Sequence, residues 1–118
     1  MKLILIVDDE VDLTTAYSLL FQLHGYETMT AANGREALDV IARRRPDLVL
    51  SDLMMPVMDG VELSRRLRND EATASIPIIL MSAAPERHTL SDRNFDALIL
   101  KPARFQTMLE KIRALLPD

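Results

Sequence analysis

Apolar positions along this chain come in short unbroken runs set between longer stretches of helical periodicity. The runs are Lys2–Val7, Asp47–Ser51, Ile76–Met81 and Ala97–Leu100, and Glu27–Ala31 is a fifth, short strand of weak pattern. A run of Leu, Ile and Val with no polar alternation reads as a strand buried on both faces. Glu27–Ala31 is the weakest of the five, and Pro77 stands near the start of its strand, where a missing N–H is tolerated. Between the runs, Val11–Leu23 places Leu13, Ala16, Tyr17, Leu20 and Leu23 at helical spacing, with Asp9 or Asp12 as cap and Gly25 just past the end. The Asn33-Gly34 pair signals a turn. Arg35–Arg44 then turns Ala37, Leu38 and Ile41 inward until Pro46 stops it. Asp59 caps a helix over Gly60–Asn69 with Val61, Leu63, Ser64 and Leu67 inward, and Asn69–Ser75 is a polar loop. Arg104–Leu116 forms the last helix, with Phe105, Met108, Leu109, Ile112, Leu115 and Leu116 inward. Pro85–Asn94 is polar and poorly patterned, enough for one or two helical turns.

Strands alternating with helices predict an α/β fold. The expected form is a (βα)5 doubly wound, five-stranded parallel sheet with helices on both faces and right-handed crossovers. The flavodoxin-like strand order 2-1-3-4-5 is the natural arrangement for this count.

At 118 residues the chain suits one domain over 1–118. It contains no Cys, which excludes a disulfide framework, thiol chemistry and cysteine metal sites and fits a reducing, cytoplasmic setting. The net charge of −4 gives no basic face for nucleic acid. Arg43-Arg44-Arg45 is locally basic, but it stands at a helix end where cations suit the dipole. Met1–Val7 is too short to span a membrane and ends in acids. A soluble protein without membrane or direct nucleic-acid partners is expected.

The candidate chemistry lies where the strands stop. The first ends at Asp8-Asp9, the third at Asp52, the fourth at Ser82 and the fifth at Lys101. Taken singly these are ordinary residues: a solvated acidic turn, a cap, a small polar residue, a solvated amine. In a parallel sheet of order 2-1-3-4-5 they share one edge, and Asp8, Asp9 and Asp52 converge at the crevice between the first and third strands. Three neighbouring carboxylates raise one another's pKa, and a hard divalent cation such as Mg²⁺ relieves that repulsion while inviting phosphate. Lys101 supplies a point charge and Ser82 a hydroxyl for phosphate oxygens. Asp52 is the candidate nucleophile, because a carboxylate can form an aspartyl phosphate.

Asp8-Asp9-Glu10, the stretch Asp52-Leu53-Met54-Met55-Pro56-Val57-Met58-Asp59-Gly60, the run Pro77–Ala83 and Lys101-Pro102 together resemble the receiver domain of the two-component response regulators. The likeness covers essentially the whole chain. It implies a signalling switch, not an enzyme with an external substrate, that assists only its own phosphorylation and dephosphorylation. Asp52 would accept a phosphoryl group from a histidine kinase, a phosphotransfer protein or a small acyl phosphate. Asp9, Asp52 and the Met54 backbone carbonyl would ligate Mg²⁺, with Asp8 acting through a bound water. Ser82 and Lys101 would hold phosphate oxygens, and Lys101-Pro102 would be cis. The output would be a downstream protein target or an output domain absent from this chain, reached through the face formed by the segment before the fifth strand, that strand and the last helix.

Three departures from the family pattern stand out. Leu98 occupies the usual aromatic switch position, Ser82 replaces the commoner Thr, and the segment from Ser82 to Lys101 is short, which predicts a short or mobile helix between Glu86 and Asn94. Three rivals differ in class. A phosphorylation-independent interaction module would be free to lose Asp9 or Lys101. A small-molecule phosphatase would need a second acid near Asp52, where Leu53 and Met54 stand. A flavin-binding domain would carry a phosphate loop rich in Ser, Thr and Gly in place of Asp8-Asp9-Glu10.

Overall fold

The structure, a computed structural model, describes residues 1–84, 91 and 94–117. Its elements are β1 (Leu3–Val7), α1 (Val11–Leu23), β2 (Glu27–Ala31), α2 (Gly34–Arg43), β3 (Leu48–Asp52), α3 (Gly60–Arg68), β4 (Ile78–Ser82), β5 (Ala97–Leu100) and, as the last helix, α4 (Phe105–Leu115). The strands form one parallel sheet in the order β2-β1-β3-β4-β5, as the pattern predicts. β3 and β4 each run on to include their terminal polar residue, Asp52 and Ser82. The helix expected between Glu86 and Asn94 falls largely outside the described residues.

Alternation along the strands builds two cores. Leu5, Val7, Val49, Ile78 and Leu80 face Ala37 and Ile41 of α2 and Val61, Leu63 and Leu67 of α3. Ile4, Ile6, Leu48, Leu50, Ile79 and Met81 face Phe21 of α1 and Met108, Leu109 and Ile112 of α4. The division follows from the strand order. The step from β1 to β2 runs opposite to the later steps, so right-handed crossovers put α1 on the other face from α2 and α3.

Local chemistry sets the helix ends. The Asn33 side chain accepts from the Glu36 amide and starts α2, and Asp59 does the same for α3 through the Glu62 amide. α1 ends with Gly25 at φ 91°, a left-handed position that suits glycine. At its start the structure corrects the expectation. Glu10 takes the N-cap position without a side-chain bond, and neither Asp9 nor Asp12 caps the helix.

The buried face of α1 also differs from the expected one. Thr14 and Phe21 are buried and Tyr17 half-buried, whereas Ala16, Leu20 and Leu23 point outward with Leu19. The helix carries apolar residues on all sides, so periodicity alone does not choose its inner face. Phe21 decides it, fitting between Tyr26 and Phe105 with ring centroids 6.2 and 4.8 Å away. Two residues of the basic run have local partners. Arg44 pairs with Glu27, and Arg45 donates to the Ala72 carbonyl and the Ser75 hydroxyl.

Candidate functional site

β1 and β3 are neighbours whose onward connections leave in opposite directions, the place where open α/β sheets hold their ligands. Register brings the acids together. Val7 pairs with Ser51, so Asp8 and Asp52 follow side by side. One carboxylate oxygen from each of Asp8, Asp9 and Asp52 lies within 4.8 Å of the others. Asp8 is buried, Asp52 half-buried and Asp9 exposed, so the cluster opens outward at Asp9.

Lys101 completes the group from two strands away. Strands are spaced about 4.8 Å apart, so only a long side chain crosses β4 from the end of β5. Its Nζ sits 3.0 Å from Asp52 Oδ1 and 3.9 Å from Asp8 Oδ2. β4 ends at the small residue Ser82, and Ala83 and Ala84 follow it. The Lys101 amide donates to the Ser82 carbonyl at 2.9 Å, tying the two strand ends together. Ser82 is buried, and its hydroxyl accepts from the Ala84 amide at 3.1 Å. The Lys101-Pro102 peptide is cis. Met54, two residues beyond Asp52, has an exposed side chain.

The charges are unevenly satisfied. Asp8 Oδ1 accepts from the Glu10 amide, whereas Oδ2 is buried without a hydrogen-bond partner. Burial pushes the Asp8 carboxyl up from its usual range; the Glu10 amide and Lys101 oppose this, and Asp52 and Asp9 add to it. For Lys101, burial disfavours the charged form, but the hydrogen bond to Asp52 and the charges of Asp52 and Asp8 outweigh it and the net shift is upward. A buried, unpartnered carboxylate oxygen facing two other carboxylates fits a hard divalent cation with oxygen ligands.

Two features of the site were not read from the sequence as site features. Gly60 is required by close approach, since a Cβ there would lie 2.7 Å from the Asp52 carbonyl oxygen and 2.9 Å from Leu80 Cδ2. The D-G pair before an apolar helix carried a signal for a cap, which Asp59 is, but none for this contact. Val57 has φ 72°, an unusual conformation for a β-branched residue. Leu98 is a packing residue: it pairs with Leu80 and joins the α2–α3 core.

Residues 4–113 match the family model of the response regulator receiver domain. The chain belongs to that family. Among curated relatives it is 38% identical to the phosphate regulon transcriptional regulatory protein PhoB of Pseudomonas aeruginosa, over 98% of this chain and 52% of that one. It is 35% identical to sporulation initiation phosphotransferase F of Bacillus subtilis, over 97% of this chain and 93% of that protein. Among solved structures, response regulator TrrA of Thermotoga maritima, in complex with Mg²⁺-BeF, superposes with a TM-score of 0.85 at 35% identity. That match covers 98% of this chain and all of the other. The chain spans about half the length of several curated relatives. Receiver domains are phosphoacceptor domains of two-component signal transduction, and the acid cluster, strand order and α/β architecture of this one agree with that role. Among the described residues, no helix is long and apolar enough to cross a membrane.

Proposed function

We propose that residues 1–118 form one receiver domain that accepts a phosphoryl group on Asp52 from a protein phosphohistidine and so changes a protein-binding surface. In the transfer a carboxylate oxygen of Asp52 bonds to phosphorus. The phosphorus–nitrogen bond to the donor histidine breaks, and its electron pair stays on the imidazole. The chain's own contribution is positioning and charge. Lys101, 3.0 Å from Asp52 Oδ1, would meet a phosphoryl oxygen, and Ser82 would offer its hydroxyl. Asp8, Asp9, Asp52 and the Met54 carbonyl would hold Mg²⁺, which when bound neutralises the carboxylates and the incoming phosphoryl charge. The observation that carries this reading is the convergence of three carboxylates within 4.8 Å beside a lysine, with one buried oxygen of Asp8 left unpartnered.

In this reading the protein is a cytoplasmic switch with no external substrate. Its donor is a histidine kinase or phosphotransfer protein. Its readout is a downstream protein or an output domain outside this chain, the latter supported by the greater length of the transcriptional relatives. Incubation with Mg²⁺ and acetyl phosphate, followed by intact-mass measurement, tests it. One phosphoryl adduct is expected, labile to mild base and lost in Asp52→Asn. An adduct of equal yield in Asp52→Asn, or none in the parent chain, overturns the assignment.

A further inference from the structure

α2 and α3 lie on the same face of the sheet, and both run toward its amino edge, away from Asp52. Toward their carboxyl ends a cavity of about 480 Å³ opens between them. That volume is ordinary for a small-molecule site. Leu38 and Ile41 of α2 and Leu67 of α3 line it, so its floor belongs to the core between the helices and the sheet. Its wall is the loop from α3 to β4, which is held in place. The Thr73 hydroxyl donates to the Leu67 carbonyl at 2.7 Å, and the Ala72 amide donates to Asp70 Oδ1 at 3.0 Å. Arg68 donates to the Ala74 and Ile76 carbonyls farther along the loop. A cleft with fixed walls loses little entropy when it binds.

Arg45 lines the same cavity and is fixed to that wall. Its Nε donates to the Ala72 carbonyl at 3.1 Å and its Nη2 to the Ser75 hydroxyl at 2.9 Å. Both acceptors are uncharged, so neither neutralises the guanidinium, which has further N–H groups to offer. The other cation of the lining, Arg66, is paired, since its Nε donates to Glu62 Oε2 at 2.9 Å. The acid of the lining, Asp70, already accepts from the Ala72 amide. One pre-oriented guanidinium beside an apolar floor calls for a single negative charge on an apolar body. Its planar fork matches a carboxylate.

We propose that the cleft between α2 and α3 is a binding site for a small amphipathic carboxylate. The apolar body lies on Leu38, Ile41 and Leu67, and the carboxylate meets Arg45. The site stands at the edge of the sheet opposite the acid cluster and uses none of its residues.

Titration calorimetry with straight-chain ligands tests this on the whole chain. Octanoate should bind, and each methylene added between hexanoate and decanoate should tighten Kd about three- to fourfold. Octylamine, with the charge reversed, should bind at least about tenfold more weakly than octanoate. Amide shifts on adding octanoate should centre on Ile41, Leu67 and Thr73. In Arg45→Gln, octanoate should weaken about tenfold while octanol keeps its parental Kd, which reports an intact cleft. Should that variant lose octanol as well, Ala42→Glu decides, because it adds an acid at an exposed position of the lining. There octanoate should weaken and octanol should not. No octanoate binding by the parent chain overturns the site, as do equal affinities for octanoate and octylamine or shifts confined to another surface. An octanoate Kd unchanged in Arg45→Gln or in Ala42→Glu overturns it too.

Discussion

Asp8→Asn should make the protein more stable in metal-free buffer at neutral pH. Asp8 is 2% exposed, and its Oδ2 has no hydrogen-bond partner. At an effective dielectric of about 20, unit charges 4.8 Å apart, the upper limit of the carboxylate cluster, interact by roughly 3–4 kcal/mol. That is the repulsion from Asp52. Asp9 is exposed, so its repulsion is closer to the aqueous figure of about 1 kcal/mol. Lys101 at 3.9 Å returns about 4 kcal/mol of attraction. These charges nearly cancel, and the orphaned oxygen decides the balance, at about 1–3 kcal/mol. The Asn amide keeps an oxygen for the Glu10 amide and turns an N–H₂ toward Asp52 and Asp9. The expected gain is therefore about 1–3 kcal/mol, a rise in Tm of about 4–12 °C in calorimetry with EDTA. Added Mg²⁺ should stabilise the parent chain more than the variant and close the gap. pH sets the sign in the same way. Burial raises the Asp8 pKa, so between the unfolded value near 3.8 and the folded value the native state binds more protons. Stability in that window falls as pH rises, and the advantage of Asp8→Asn grows with pH through it and is constant above. A variant no more stable than the parent in EDTA at pH 7 would refute the reasoning.

Gly60→Ala places a Cβ 2.7 Å from the Asp52 carbonyl and should cost about 2–3 kcal/mol in urea denaturation, with slower acetyl phosphate labelling; parental stability would show that the contact yields freely. Lys101→Met removes the cation beside Asp52 and Asp8 and should cost about 2–4 kcal/mol in EDTA, much of it recovered with Mg²⁺; a loss that Mg²⁺ leaves untouched would argue against charge balance as the cause. On α1, Phe21→Ala should cost about 3–5 kcal/mol while Leu23→Gln stays within about 0.5 kcal/mol. Equal losses at the two positions would mean that the helix buries a different face, since Leu23 is 81% exposed and Phe21 fully buried.

What could be read from the chain is what neighbouring residues settle between themselves. β2 and β5 begin and end at their predicted residues because turn formers and charges bound each of them, and Asp59 caps α3 because capping needs only the next three amides. Strand order and the convergence of Asp8, Asp9 and Asp52 were also legible, since right-handed crossovers leave few ways to arrange the strands. Local pattern did not determine α1, whose leucines surround the helix until Tyr26 and Phe105 close on Phe21. It did not show that the Asp47 carboxylate would receive the Leu3 amide, that the Val57 turn would carry a positive φ, or that Gly60 would press against the Asp52 carbonyl. The separation of Lys101 from Asp52, 3.0 Å across an intervening strand, belongs to the same group. Each joins backbone or side chains whose spacing depends on how sheet, loop and helix pack together, and a one-dimensional pattern carries residue types and periods but no such distances.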